Sequence, residues 1–157
     1  MGNRANLVFE KDGKRAAIYI YMHWNGGADS VVPLVRETAR RVAARCDSAE
    51  DFACTFWAVT REFFDGYGTD RFNRDGLSLY VYPFKGSTQG LDDEDNGLFI
   101  VNYKGIDGWE IEQRVDNYSG KRSARFSSGD PLSEDDKEWQ KMFADRETRI
   151  TEAGKGV

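Results

Sequence analysis

The chain reads as an α+β domain. It predicts a mainly antiparallel sheet of about five or six strands in the order ββααβββ(β)α, with a helical pair on one face and a C-terminal helix. Three patterns carry that reading. Two alternating apolar/polar runs flank Asp12-Gly13, a dipeptide that favours hairpin turns. Two stretches of helical period follow back to back between residues 29 and 65. From Leu77 the alternation returns in pieces to residue 127, before a capped helical segment.

The first hairpin joins residues 4–10 to 15–24. Side chains alternate across a strand, so Ile18, Ile20, Met22 and Trp24 form one stripe, and Tyr19, Tyr21 and His23 the other. Asp29 or Ser30 caps a helix reaching about Cys46, with Pro33 in its first turn; Val31, Val35, Ala39, Val42 and Cys46 line its apolar side. Ser48-Ala49-Glu50-Asp51 resembles a capping box with Asp in place of Glu. The second helix then runs to about Asp65, burying Phe52, Ala53, Phe56, Val59, Thr60 and Phe63, with Trp57 and Phe64 widening the face and Gly66 and Gly68 ending it. The short joint makes the two helices an antiparallel pair.

In the next strand Leu77, Leu79 and Val81 face one way, and Ser78, Tyr80 and Tyr82 the other, until Pro83. Residues 85–97 form an acidic loop. Strands follow at 98–104 and 109–116, with a further one at 121–127 after Tyr118-Ser119-Gly120. Ser133-Glu134-Asp135-Asp136 caps the last helix, on which Trp139, Met142, Phe143 and Arg146 share a side.

The chain has 157 residues, enough for one domain over 1–150 with a core of its own, followed by a frayed tail at 151–157. Aromatic residues make up 13% of it, which favours a folded chain over a disordered one. The formal net charge of −5 argues against nonspecific nucleic-acid binding. Cys46 and Cys54 are the two cysteines, and without a Cys/His cluster no structural zinc is expected. No leader-like apolar segment or membrane span is visible, so a cytoplasmic setting with reduced thiols is expected. Gly2 lacks the Ser or Thr at residue 6 that a myristoylation start requires, since Asn6 stands there.

Several groups are candidates for function. Tyr19, Tyr21, His23, Tyr80 and Tyr82 share the sheet face opposite the helical pair, where tyrosines stack on bases or anchor a protein while keeping their hydroxyls wet. The competing reading lays the C-terminal helix over them, with Trp139 and Phe143 between. At His23-Trp24-Asn25-Gly26-Gly27, two glycines before a helix suit either an anion held by main-chain N–H groups or a tight turn needing positive φ. Neither a P-loop nor a dinucleotide fingerprint is present. Asp92, Asp93, Glu94 and Asp95 offer an acidic contact loop; a calcium loop fails because Tyr103 stands where the bidentate Glu belongs. Lys121, Arg122 and Arg125 make a basic hairpin, balanced by Asp107, Glu110, Glu112 and Asp116. Cys46 falls among core positions, and Cys54 toward the polar side of its helix, with nothing local to join it to His23.

Met1-Gly2-Asn3-Arg4-Ala5 and His23-Trp24-Asn25-Gly26-Gly27 resemble a group of short proteins encoded by bacteriophages and other mobile elements, over roughly the first thirty residues. The resemblance implies a setting, inhibition of host defence or sequestration of a host signal, and carries no catalytic residues.

The leading expectation is a non-enzymatic binding protein that engages a host protein through tyrosines and acidic loops, without a cofactor or metal and with no membrane partner. One alternative is a module for a nucleotide-like anion, with Gly26-Gly27 taking the charge and Tyr19, Tyr21 and His23 the flat group. Another is a hydrolase or transferase with His23 as general base. An exposed edge or open tyrosine face also suits a homodimer.

Overall fold

In the computed structural model the described residues are 3–42, 46–66, 77–81, 88 and 90–155, with the main chain alone at 63–66. Tyr82, Pro83, Gly68 and the side chains of Phe63 and Phe64 lie outside them.

The fold is α+β, and its elements follow the expected order with the optional strand present. They are β1 (Ala5–Lys11), β2 (Lys14–Met22), α1 (Ala28–Val42), α2 (Ala49–Gly66), β3 (Leu77–Val81), β4 (Leu98–Tyr103), β5 (Trp109–Asn117), β6 (Gly120–Ser127) and α3 (Glu134–Lys155). One six-stranded sheet runs β3-β2-β1-β4-β5-β6. All neighbours are antiparallel except β1 and β4, which run parallel with Asn6 opposite Leu98. The helical segments between them are long enough for the crossover a parallel pair needs.

All three helices lie on one face. Leu7, Phe9, Ile20, Met22, Phe99, Val101 and Ile111 meet Leu34, Val35, Phe52 and Phe56 there, and Trp139 and Phe143 of α3 join the same core. The alternative in which α3 covers the tyrosines is therefore corrected. Its apolar stripe and ion pairs both match α1: Arg36 reaches the buried Asp136 at 3.3 Å, and Arg40 reaches Glu147 at 3.1 Å. Arg36 also lies over the Trp109 ring, 5.0 Å from its centroid, tying α1 to β5.

The opposite face carries a smaller cluster of Val8, Leu98 and Ile100, and it is closed by Leu91 from the acidic loop. Buried Asn6 donates to the Leu91 carbonyl at 3.0 Å, which fixes the loop there and satisfies both polar groups.

The ends of the elements depart from expectation in several places. β2 stops at Met22, so Trp24 leaves the core stripe and stands 41% exposed. α1 begins at Ala28, with the Gly27 carbonyl accepting from Ser30 and Val31, which puts Pro33 in the second turn and ends the helix before Cys46. Its ring deletes a donor to the Asp29 carbonyl, which lies at the exposed helix start and can be solvated. At α2 the Asp51 N–H donates to Ser48 Oγ, while the shorter Asp51 carboxylate reaches back to the Asp47 N–H. At α3 the box is complete: Ser133 N–H donates to Asp136, and Asp136 N–H to Ser133 Oγ. Leu79 and Val81 are exposed, on the strand at the end of the sheet order. α3 stays helical through residues 151–155. No described helix is long and apolar enough to cross a membrane.

Candidate functional site

Strand register builds the site. The β2–β3 ladder sets Tyr19 opposite Tyr80 and Tyr21 opposite Ser78. Cross-strand aromatic neighbours stack on one face. Tyr19 and Tyr80 do so at 5.4 Å between centroids and 25° between planes. Tyr21 meets Tyr80 edge-on at 6.4 Å, Tyr21 and His23 lie 6.0 Å apart, and His23 meets Trp24 edge-on at 4.6 Å. The Tyr21 hydroxyl and His23 Nδ1 share a hydrogen bond of 2.9 Å. The result is an unbroken row of five rings, Tyr19, Tyr80, Tyr21, His23 and Trp24, with Tyr80 46% exposed. Trp24 joins a row from which strict alternation excluded it, because the strand ends before it.

The turn after His23 works sterically. Asn25, a non-glycine, takes the left-handed conformation at φ 56°. Gly26 is needed for close approach: a Cβ there would stand 2.6 Å from the Asn3 carbonyl oxygen and 2.8 Å from the Ala5 nitrogen. Its N–H donates to that same carbonyl at 2.7 Å, so it is engaged within the fold. Gly27 caps α1 through its carbonyl, with the Asp29 carboxylate beside it in the first turn, where an anion would meet like charge.

The acidic loop meets the ring row through the N-terminus. Arg4 donates to Asp95 at 3.0 Å and pairs with Glu94 at 3.3 Å. That hydrogen bond holds the Asp95 carboxyl below its ordinary range. Burial, and after it the nearby Glu94 carboxylate, push the Tyr21 phenol up; burial and then Tyr80 do the same to Tyr19. The loop is further held by Asn96 N–H to the Arg4 carbonyl, Asp116 N–H to the Asp92 carbonyl and Arg122 to the Asp95 carbonyl. Asp93 remains exposed and Asp92 partly so. Residues 91 positions apart thus form one surface, of rings on one side and carboxylates on the other. Arg4, the bridge between them, had no local signal in sequence, since its partners lie some ninety positions further along the chain.

Other candidates stay apart from this surface. Cys46 lies beyond the Lys11 end of β1, whereas His23 lies by its Ala5 end; burial raises the Cys46 thiol, and Sγ donates to the Ser48 carbonyl. Cys54 is exposed on α2, and no described contact joins either thiol to His23. In the basic hairpin Lys121 pairs with Asp116 and Arg125 with Glu112, while Glu110 pairs with Lys104 instead. A concavity of about 400 Å³ opens farther along the same sheet face, over Ile100 and Asn102 between Glu10, Glu112 and Arg125. It was invisible in sequence because its walls come from four strands. Among the described residues no group of three His, Cys, Asp or Glu is placed to hold a metal ion.

No family model, curated protein or solved structure matches this chain.

Proposed function

We propose that this is a non-enzymatic binding protein whose partner docks on the row Tyr19, Tyr80, Tyr21, His23 and Trp24 and on the adjoining acidic loop. The continuous contact of the five rings is the observation that carries this reading. Rings locked against one another lose little entropy on binding, and tyrosine and tryptophan present apolar area with a polar tip. The described contacts of His23 are to Tyr21 and Trp24, and no described carboxylate or thiol bonds to it, which suits recognition better than general-base catalysis. Engagement of the Gly26 N–H by Asn3 weighs against the anion-binding alternative. The finer setting, a phage-encoded inhibitor that takes a bacterial host protein as partner, rests on the resemblance of the N-terminal blocks.

Paired capture experiments test this reading. Wild-type protein and a Tyr21→Ala/Tyr80→Ala double variant serve as baits in one bacterial lysate, with retained proteins quantified by mass spectrometry. Truncating two central rings should weaken retention of a specific partner by about tenfold or more. Circular dichroism confirms that the variant is folded. Equal retention by both baits overturns the reading, and a thermal shift with a nucleotide in place of protein capture supports the ligand alternative.

A further inference from the structure

We infer that the outer edge of β6 is a docking site for an extended, carboxylate-bearing segment of a partner protein, which adds to the sheet as a further antiparallel or parallel strand. The direction of the main-chain groups follows from the ladder. Ser128 N–H donates to the Trp109 carbonyl, so Arg122, Ala124 and Phe126 turn their main-chain groups toward β5. Lys121, Ser123, Arg125 and Ser127 therefore turn theirs outward.

The outward donors are not treated alike. Asp130 accepts from the Ser127 N–H at 2.8 Å, and on β2 Glu50 accepts from the Ala17 N–H at 3.1 Å. Side chains thus close the sheet's exposed donors at both of those places. No described residue closes the N–H groups of Lys121, Ser123 and Arg125. They leave a strand edge with free donors and acceptors at alternate positions, the template on which an extended peptide pairs.

Charge decides which peptide. Lys121 and Arg125 are 81% and 80% exposed, and their carboxylate partners stand 3.4 and 4.0 Å away, loose contacts that leave charge for a newcomer. Arg122 is exposed as well. A second copy of β6 would set these cations against one another, and like charges across strands are destabilising. A strand carrying carboxylates turns the same side chains into cross-strand ion pairs. The edge therefore rejects its own copy and selects an acidic strand. The ring row lies on β2 and β3, at the other end of the sheet, so failure of this test leaves the ring-row reading standing.

The test uses the full chain, a synthetic peptide alternating glutamate and valine, and a lysine/valine control, read by amide NMR and hydrogen exchange. The acidic peptide should slow exchange at Lys121, Ser123 and Arg125 by about tenfold or more and bind more weakly in 1 M salt, where screening is short-ranged. Ser123→Pro removes an outward donor without touching the β5 ladder and should abolish that protection. Lys121→Glu/Arg125→Glu should transfer the preference to the lysine peptide, and decides the matter should the proline variant not fold. Equal binding of both peptides, no protection at these amides, or protection there only by a single-stranded oligonucleotide overturns the inference.

Discussion

Asn6 on β1 donates from Nδ2 to the main-chain carbonyl of Leu91 at 3.0 Å, across 85 positions of sequence. Both residues are buried. The bond seats the acidic loop on the sheet face opposite the helices, so that a loop and not a helix closes that face.

Asn6→Ala should expose the importance of that seat. It leaves the Leu91 carbonyl buried without a donor, which costs about 1–3 kcal/mol. Urea unfolding should show the loss in the midpoint. Hydrogen exchange should quicken at Asn96 and Asp116, whose amides hold the loop. An unchanged midpoint would show that the loop is fixed by Leu91 packing alone.

The two glycines of the turn should respond unequally to substitution. A Cβ at Gly26 would meet main-chain atoms of Asn3 and Ala5, which cannot step aside. At Gly27 the nearest atom is the end of the Asp29 side chain, 2.5 Å away, which can rotate. Gly26→Ala should therefore cost about 2 kcal/mol or more, and Gly27→Ala well under about 1. Thermal unfolding of the two variants checks the order.

Acid should weaken the ion cluster that Glu37 forms with Arg40 and Arg41 along α1. Burial of Glu37 would raise its carboxyl, but hydrogen bonds from Arg40 and Arg41 outweigh it and hold the group below its ordinary value of 4.5. A carboxylate held low stabilises fully above about pH 4.5 and loses that contribution as pH falls through the lower folded value. Asp95, held down chiefly by Arg4, adds to the same limb from its ordinary value of 3.8 downward. Glu37→Gln should cost about 1–2 kcal/mol at neutral pH and flatten the acid limb, since no proton is then taken up at that site. Urea midpoints measured from about pH 7 to about pH 3 give the test.

Alkali should act through the ring row. Burial, followed by Tyr80 for Tyr19 and by Glu94 for Tyr21, raises both phenols above their ordinary value of 10. Their contribution to stability is complete below about pH 10 and lost as pH rises through the higher folded values. Ultraviolet titration should show a late phenolate fraction that Tyr21→Phe reduces. Ionisation of every tyrosine in one early step would contradict the partly buried, stacked geometry of Tyr19 and Tyr21.

Much of the fold was legible in the residues. Asp12-Gly13 does turn the first hairpin, with Asp12 at φ 52° and Gly13 at φ 75°. The helical period of 31–42 and 49–62 and the box at Ser133 mark helices whose causes lie within a few neighbours. The tyrosine stripe was legible too, because strand alternation is a local property that placed Tyr19, Tyr21 and Tyr80 correctly on one face. Trp24 was misplaced because alternation holds only while the strand does, and Gly26 under Asn3 ends it early.

The sequence by itself determined which segments are helix and strand and, within each, which side chains share a face, since both follow from periods of 3.6 and 2 along the chain. Tertiary structure alone decided that β1 lies parallel to β4, that α3 docks on α1, and that Arg4 joins Asp95. The reason is physical. Ladder hydrogen bonds are the same for every residue type but proline and so do not name their partner strand. An arginine finds its carboxylate only once packing has brought together segments 91 positions apart.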